Sequence, residues 1–157
     1  MNQVSALRVA GHAVPTLDEL LQLVDGQVPL LLEVKVQRDL GRWAKALPDA
    51  LAGYEGRFGV MSFDPRLPGM LKARLPQVRR GLVLEAALPA HERKLALALA
   101  SAQFLAVEQP VLGQAWVTGL RRQMPIYSWT ITTSEQRGQA RVHADALIWE
   151  DDGRPRI

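Results

Sequence analysis

The stretch PLLLEVK, residues 29–35, decides the fold class of this chain, because a nearly unbroken apolar run ends there in a carboxylate and an amine. It follows VPTLDELL, residues 14–21, whose threonine and glutamate have the spacing of a helix capping box. A capped helix followed by an all-apolar strand is typical of a parallel sheet that helices cover. Because side chains alternate across a strand, Glu33 and Lys35 are predicted to share one face. A charged pair at the end of a buried strand is costly unless the fold uses it, so this pair is the first candidate for a site.

Apolar runs alternate with amphipathic segments along the rest of the chain. The predicted strands are 30–36, 58–62, 81–84, 104–107, 126–131 and 145–149. The predicted helices are 16–24, 39–52, 64–76, 91–102, 112–123 and 132–142, the last with Thr132 and Glu135 as its capping box. This alternation favours an α/β architecture with parallel strands and right-handed crossovers. No change of composition marks a linker, so residues 1–157 are interpreted as one domain.

Apolar spacing within two helices predicts which of their faces are buried. The stripe of the second helix, which Pro48 could interrupt, comprises Leu40, Trp43, Leu47 and Leu51. The stripe of the fourth helix comprises Leu95, Ala98 and Leu99.

The composition limits the classes of function. The chain has 157 residues, 48% of them apolar and 22% charged, which is ordinary for a globular protein. It contains no cysteine, so disulfides, thiolate metal ligands and a cysteine nucleophile are excluded. The net charge of +3 is scattered, with no basic stripe interleaved with aromatics, so no nucleic-acid partner is expected. No apolar run is long enough to span a bilayer and no signal peptide is visible, so a cytoplasmic protein is expected.

Polar side chains at the ends of the predicted strands form the candidate site, since sites of parallel α/β folds gather at the carboxyl ends of strands. These residues are Glu33, Lys35, Ser62, Phe63, Asp64, Glu85, Glu108, Trp129, Thr130 and Glu150. Carboxylates in a group can hold magnesium or calcium, and a lysine can meet a phosphate as a point charge.

Structural alternatives stay open for these residues. Glu33 and Lys35 could form a structural ion pair, and Asp64 could cap a helix. The Ser62 hydroxyl could bond a backbone group, Trp129 could belong to the core, and the remaining glutamates could be solvated loop residues. No histidine stands at a predicted strand end, so all are interpreted as exposed or capping residues: His12, His91 and His143.

Five motifs in this order resemble the glycerophosphodiester phosphodiesterase family: VPTLDELL, EVK, VMSFDP at 60–65, YSWTI at 127–131 and ADALI at 144–148. The family implies a TIM-type barrel of parallel strands. It also implies metal-dependent hydrolysis of glycerophosphodiesters to glycerol 3-phosphate and an alcohol, with magnesium or calcium as the cofactor. By this resemblance, Glu33 is a metal ligand and Lys35 lies near the substrate phosphate. Trp129 lines the pocket, and Ser62 and Phe63 stand at its mouth as substrate-binding residues.

The chain departs from the family pattern at its start. Family members begin with His-Arg-Gly and continue through Glu-Asn-Thr, Glu-x-Asp and His-Asp segments, which supply the catalytic histidine pair and the other metal carboxylates. In this alignment of motifs, Met1 falls after the positions of all four segments. An N-terminally truncated barrel is therefore expected, with about strands four to eight and a closing strand. A full barrel has about 250 residues. No catalytic residue is therefore assigned, and whether this chain is an enzyme is left open. Tight binding of a divalent ion by Glu33 alone is not expected.

Three interpretations follow from the motifs and their departure. The leading one is a partial phosphodiesterase domain, whose complete form hydrolyses glycerophosphodiesters. The second is a catalytically inactive half-barrel that acts as a binding or interaction module. The third, an unrelated flavodoxin-like domain, lacks a phosphate-binding glycine loop after a strand. In the first two, open sheet edges are expected to favour self-association.

Overall fold

A parallel sheet of six strands, curled into a half-barrel with helices around it, organises the chain. The computed structural model describes residues 8–9, 11–151 and 154–155, and the structural statements below concern these residues. The strands of the sheet lie side by side in chain order, and every neighbouring pair is parallel. An antiparallel pair, β1 (Arg8–Val9) and β2 (His12–Ala13), precedes it. The sheet strands are β3 (Leu30–Glu33), β4 (Phe58–Ser62), β5 (Arg79–Leu84), β6 (Phe104–Glu108), β7 (Ile126–Ile131) and β8 (Ala146–Trp149).

The strand predictions are confirmed in order and direction, with small differences at the ends. β4 and β7 have the predicted bounds, whereas β3 ends at Glu33 instead of continuing to residue 36. The Val34 amide still donates to the Met61 carbonyl over 2.8 Å, so Lys35 is the first residue clear of the ladder.

Helices connect the strands of the sheet. They are α1 (Leu17–Val24), α2 (Leu40–Leu51), α3 (Arg66–Arg74), α4 (Ala90–Ala100), α5 (Ala115–Arg121) and α6 (Ser134–His143). The predicted capping box of α1 is present, since Thr16 and Glu19 each accept from the other's backbone amide. α2 continues through Pro48 to buried Leu51, because packing of its last turn outweighs the lost backbone hydrogen bond.

Two helix starts were predicted wrongly. The helix expected at 112–123 begins only at Ala115, because a 3-10 turn at Gln109–Val111 and Gly113, with φ of 83°, occupy the preceding chain. The capping box of α6 is formed by Thr133 and Gln136, one residue later than predicted, since a glutamine side chain can close the box as a glutamate does.

The apolar stripe predicted for α4 lies on the wrong face. Leu95 and Leu99 are 61% and 47% exposed, whereas Ala96 and Ala100 are buried. α4 passes close to α3: a Cβ added at Gly69 would lie 2.5 Å from the Leu99 carbonyl oxygen. The buried alanines pack instead with sheet residues such as Leu82 and Leu105. The stripe of α2 is likewise confirmed only in part, because Leu47 and Leu51 are buried but Trp43 is 40% exposed.

The two faces of the sheet have different surroundings. The outer face packs against the helices through alternate strand residues such as Val60, Leu82 and Leu105. The other alternate residues form a separate apolar layer on the concave face, namely Met61, Phe63, Val83, Phe104, Ala106, Tyr127, Trp129 and Ile148. The concave face at the carboxyl ends of the strands carries the candidate site.

Candidate functional site

Strand alternation brings Glu33 and Lys35 to the concave face, as predicted. Leu30, Leu32 and Val34 pack with the helix-side core, so the residues between and beyond them face the other way. The Lys35 Nζ lies 2.5 Å from the Glu33 Oε1. The two charged residues at the end of β3 therefore form an ion pair.

Aromatic side chains from two other strand ends extend this pair into a row. The Lys35 Nζ stands 4.9 Å from the centre of the Phe63 ring. Phe63 packs edge-on against Trp129, with ring centres 5.5 Å apart and planes at 83°. The Trp129 indole N–H donates to the Ala106 carbonyl over 3.0 Å, which fixes its orientation. The row Glu33–Lys35–Phe63–Trp129 joins the carboxyl ends of β3, β4 and β7.

The exposed Lys35 ammonium is the group of the row that can meet an anionic ligand. The ammonium is held between the Glu33 carboxylate and the face of the Phe63 ring, which both attract a cation. The Lys35 side chain is still 67% exposed, against 28% for Glu33. An exposed amine above an aromatic wall can meet a phosphate.

The Ser62 hydroxyl does not join this row. Ser62 is fully buried, and its Oγ donates to the Val34 carbonyl over 2.8 Å and accepts from the Asp64 amide at 3.1 Å. These bonds tie the end of β3 to the turn after β4. The structural alternative for Ser62 describes its contacts better than the substrate-binding prediction does.

Asp64 occupies the start of α3. Its carboxylate accepts from the Arg66 amide at 3.0 Å and from the Arg66 guanidinium at 2.6 and 2.9 Å. The side-chain hydrogen bond from Arg66 lowers the pKa of Asp64 below its ordinary value, although burial opposes this. These contacts are those of a residue that stabilises a helix start.

The remaining carboxylates at the strand ends do not gather into a metal site. Glu108 accepts from the Ala86 amide at 2.7 Å and so links the ends of β5 and β6, a role that the sequence did not reveal. Glu85 and Glu150 are exposed. Within the described ranges, no three histidine, aspartate or glutamate side chains are close enough together to hold a metal ion. A hard divalent ion takes about six oxygen ligands, so the donors present do not fit one.

The histidines lie away from the row. His91, in the first turn of α4, is strongly exposed and stands 3.8 Å from Glu92. His143 ends α6 and borders Gly113, and His12 lies in β2.

Solved structures of glycerophosphodiester phosphodiesterases share this fold. A protein assigned as a glycerophosphoryl diester phosphodiesterase from Silicibacter pomeroyi superposes with a TM-score of 0.76 at 23% identity, over 91% of this chain and 55% of its own. A glycerophosphodiester phosphodiesterase from Parabacteroides distasonis gives 0.75 at 15% identity, over 94% of this chain and 65% of its own. A phosphodiesterase from Oleispira antarctica, solved with the product sn-glycerol-3-phosphate, superposes with a TM-score of 0.75 at 18% identity. The superposition covers 91% of this chain and 60% of the Oleispira protein.

These likenesses show that the chain has the fold of part of the TIM-type barrel in those structures. This chain spans between 55% and 65% of the length of those three proteins. No family model and no curated protein matches the sequence. No helix in the described part of the chain combines the length and apolarity needed to cross a membrane.

Proposed function

We propose that residues 1–157 act as a single partial domain of the glycerophosphodiester phosphodiesterase kind, which binds the phosphate of a glycerophosphodiester. The row Glu33–Lys35–Phe63–Trp129 carries this proposal, because it stands at the carboxyl ends of strands in a fold shared with those enzymes. Lys35 meets the phosphate as a point charge. Phe63 and Trp129 form the apolar wall beside it.

The reaction proposed for the complete domain is hydrolysis to glycerol 3-phosphate and an alcohol. Water adds across one phosphoester bond, so the alcohol leaves with a proton and the phosphate stays on glycerol. The family resemblance implies magnesium or calcium with Glu33 as a ligand, but the donors described above do not complete such a site. We propose that the protein carries out this function in the cytoplasm.

The second candidate is a binding module without turnover. The observation that favours it is the composition of the row, which offers a cation paired with a carboxylate beside an aromatic wall and contains no histidine. In this case the chain retains the phosphate ligand and hydrolyses nothing.

Two measurements test the proposal. We expect the purified chain, supplied with magnesium or calcium, to release glycerol 3-phosphate from glycerophosphocholine no faster than its Glu33→Ala variant. General acid–base catalysis supplies about 100- to 10,000-fold in rate, and the row contains no histidine to carry it out. We also expect the chain to bind glycerol 3-phosphate and the Lys35→Met variant to lose that binding. Turnover that disappears in Glu33→Ala would show a working metal site, and equal binding by parent and Lys35→Met would remove the proposed function.

A further inference from the structure

We infer that the Lys35 ammonium stands in for a divalent cation at this mouth, so that the phosphate ligand binds without metal and in competition with the Glu33 carboxylate. This inference rests on the proposed function, in which Lys35 meets the phosphate. It concerns what controls the occupancy of the site.

The positive charge beside Glu33 belongs to the chain itself, because it is the Lys35 ammonium. The Glu33 Oε1 is 2.5 Å from the Lys35 Nζ, a charge-assisted hydrogen bond. The described part of the chain brings no further pair of carboxylates or imidazoles to Glu33. Glu108, another carboxylate at a strand end, is already engaged by the Ala86 amide. Lysine therefore neutralises Glu33 in place of a metal.

Phe63 keeps Lys35 at the concave face. A lysine at the end of a strand can turn freely into solvent, but this ammonium lies over the Phe63 ring at 4.9 Å. Phe63 is in turn braced by Trp129, whose indole is bonded to the Ala106 carbonyl. The ammonium is thus held at the aromatic wall by contacts that do not require Glu33.

Glu33 competes with a phosphate for the Lys35 ammonium. A phosphate that approaches Lys35 must share it with a carboxylate at hydrogen-bond distance, and two anions repel each other at such a separation. Removal of the Glu33 charge therefore strengthens phosphate binding. In a metal site the same substitution would weaken binding, because the metal ligand would be lost. The direction of the change separates the two arrangements.

The experiment is a titration with sn-glycerol 3-phosphate in the presence of a chelator, followed by the Trp129 indole N–H resonance. Parent, Glu33→Gln and Lys35→Met are compared, with Glu85→Gln as a control that removes the same charge from an exposed glutamate at another strand end. We expect Glu33→Gln to bind about two- to fivefold more tightly than parent, which is the upper part of the range for an exposed ion pair. Glu85→Gln should change the affinity less than twofold. Millimolar magnesium should also change the parent affinity less than twofold.

The other outcomes separate failure of the inference from failure of the proposed function. Weaker binding by Glu33→Gln, or tightening by magnesium of twofold or more, would overturn the inference and leave Lys35-dependent phosphate binding intact. An equal gain in Glu85→Gln would show a general charge effect and would also overturn it. If Lys35→Met binds as parent does, or if neither parent nor Glu33→Gln binds, the proposed function fails together with the inference. Circular dichroism confirms folding, and Glu33→Ala replaces Glu33→Gln if the latter is unfolded.

Discussion

At the scale of single residues, side-chain hydrogen bonds hold the strand ends in place. Asp145 shows this at the start of β8, where its Oδ2 accepts from the Ile126 amide at 2.8 Å and its Oδ1 accepts from the Arg121 guanidinium at 3.0 Å. Arg121 also donates to the Val142 carbonyl at 2.7 Å. Burial of the Asp145 carboxyl opposes ionisation, but the bonds from Ile126 and Arg121 outweigh it and lower its pKa. Asp145 therefore joins α5, the end of α6 and β7.

Substitution of Asp145 tests this junction through pH. A lowered folded-state pKa contributes stability that is present above the unfolded carboxyl pKa of about 4 and is lost as the pH falls through the folded-state value. We expect Asp145→Asn to lower the free energy of unfolding by about 1 kcal/mol at neutral pH, a figure reduced for solvent screening. The difference from parent should shrink in acid. Urea unfolding at neutral and acidic pH measures it, with exposed Asp49→Asn as the control. A difference that is the same at both pH values would contradict the role of the charge.

At the scale of elements, packing against neighbours decides which side of a helix or strand is buried. α4 shows this for helices, because Ala96 and Ala100 are buried in the core beside the sheet, whereas Leu95 and Leu99 are exposed. β3 shows it for strands, because Leu31 lies on the concave face with Glu33 and is 37% exposed. The periodicity of both segments fits their secondary structure, but it does not identify the side that a neighbour covers.

Glycine substitutions test the close approach of α3 and α4. A Cβ at Gly69 would lie 2.5 Å from a backbone oxygen of Leu99, whereas a Cβ at Gly119 in α5 meets nothing within 4 Å. We expect Gly69→Ala to lower the free energy of unfolding by about 1–3 kcal/mol, because the helices must separate. Gly119→Ala should raise it by about 0.4–1 kcal/mol through a less flexible unfolded chain. Chemical denaturation of both variants gives the comparison, and a neutral Gly69→Ala would show that the helices can move apart without cost.

Two aspartate substitutions distinguish the faces of the sheet. From the sequence, Leu31 is a core residue and Leu31→Asp is strongly destabilising, but its exposure makes that expectation too severe. We expect Leu31→Asp to cost about 1 kcal/mol and Val60→Asp, at a position 1% exposed beneath the helices, to cost at least about 3 kcal/mol. Melting temperatures rank the two variants. A larger loss for Leu31→Asp would mean that another surface covers the concave face in solution.

At the scale of the whole molecule, the half-barrel leaves apolar surface on its concave side. In the described part of the chain, β3 and β8 each have a neighbouring strand on one side only. A cavity of about 420 Å³ opens between the amino ends of the strands, with Leu31, Phe104 and Tyr127 among its lining residues. All-parallel sheets are normally covered on both faces, and open edges invite pairing.

Self-association through the concave face is the expected consequence. We expect the chain to form concentration-dependent oligomers, measured by light scattering during size-exclusion chromatography. Leu31→Asp should weaken them, because it places a charge on that face. Leu95→Asp, at a position 61% exposed on the outer side of α4, should leave them unchanged. A monomer at every concentration, or dissociation by Leu95→Asp alone, would contradict association through the concave face.

The sequence by itself determined the order and direction of the strands and the common face of Glu33 and Lys35. These features follow from local rules: apolar runs alternate with capped helices, and residues two apart on a strand share a face. Only the tertiary structure decided that α4 buries alanines, that the Ser62 hydroxyl is used by Val34 and Asp64, and that Asp145 joins three elements. It also decided that Glu33 meets an amine instead of further carboxylates. The physical reason is that each outcome depends on which distant segment arrives beside a side chain, and no local pattern carries that information.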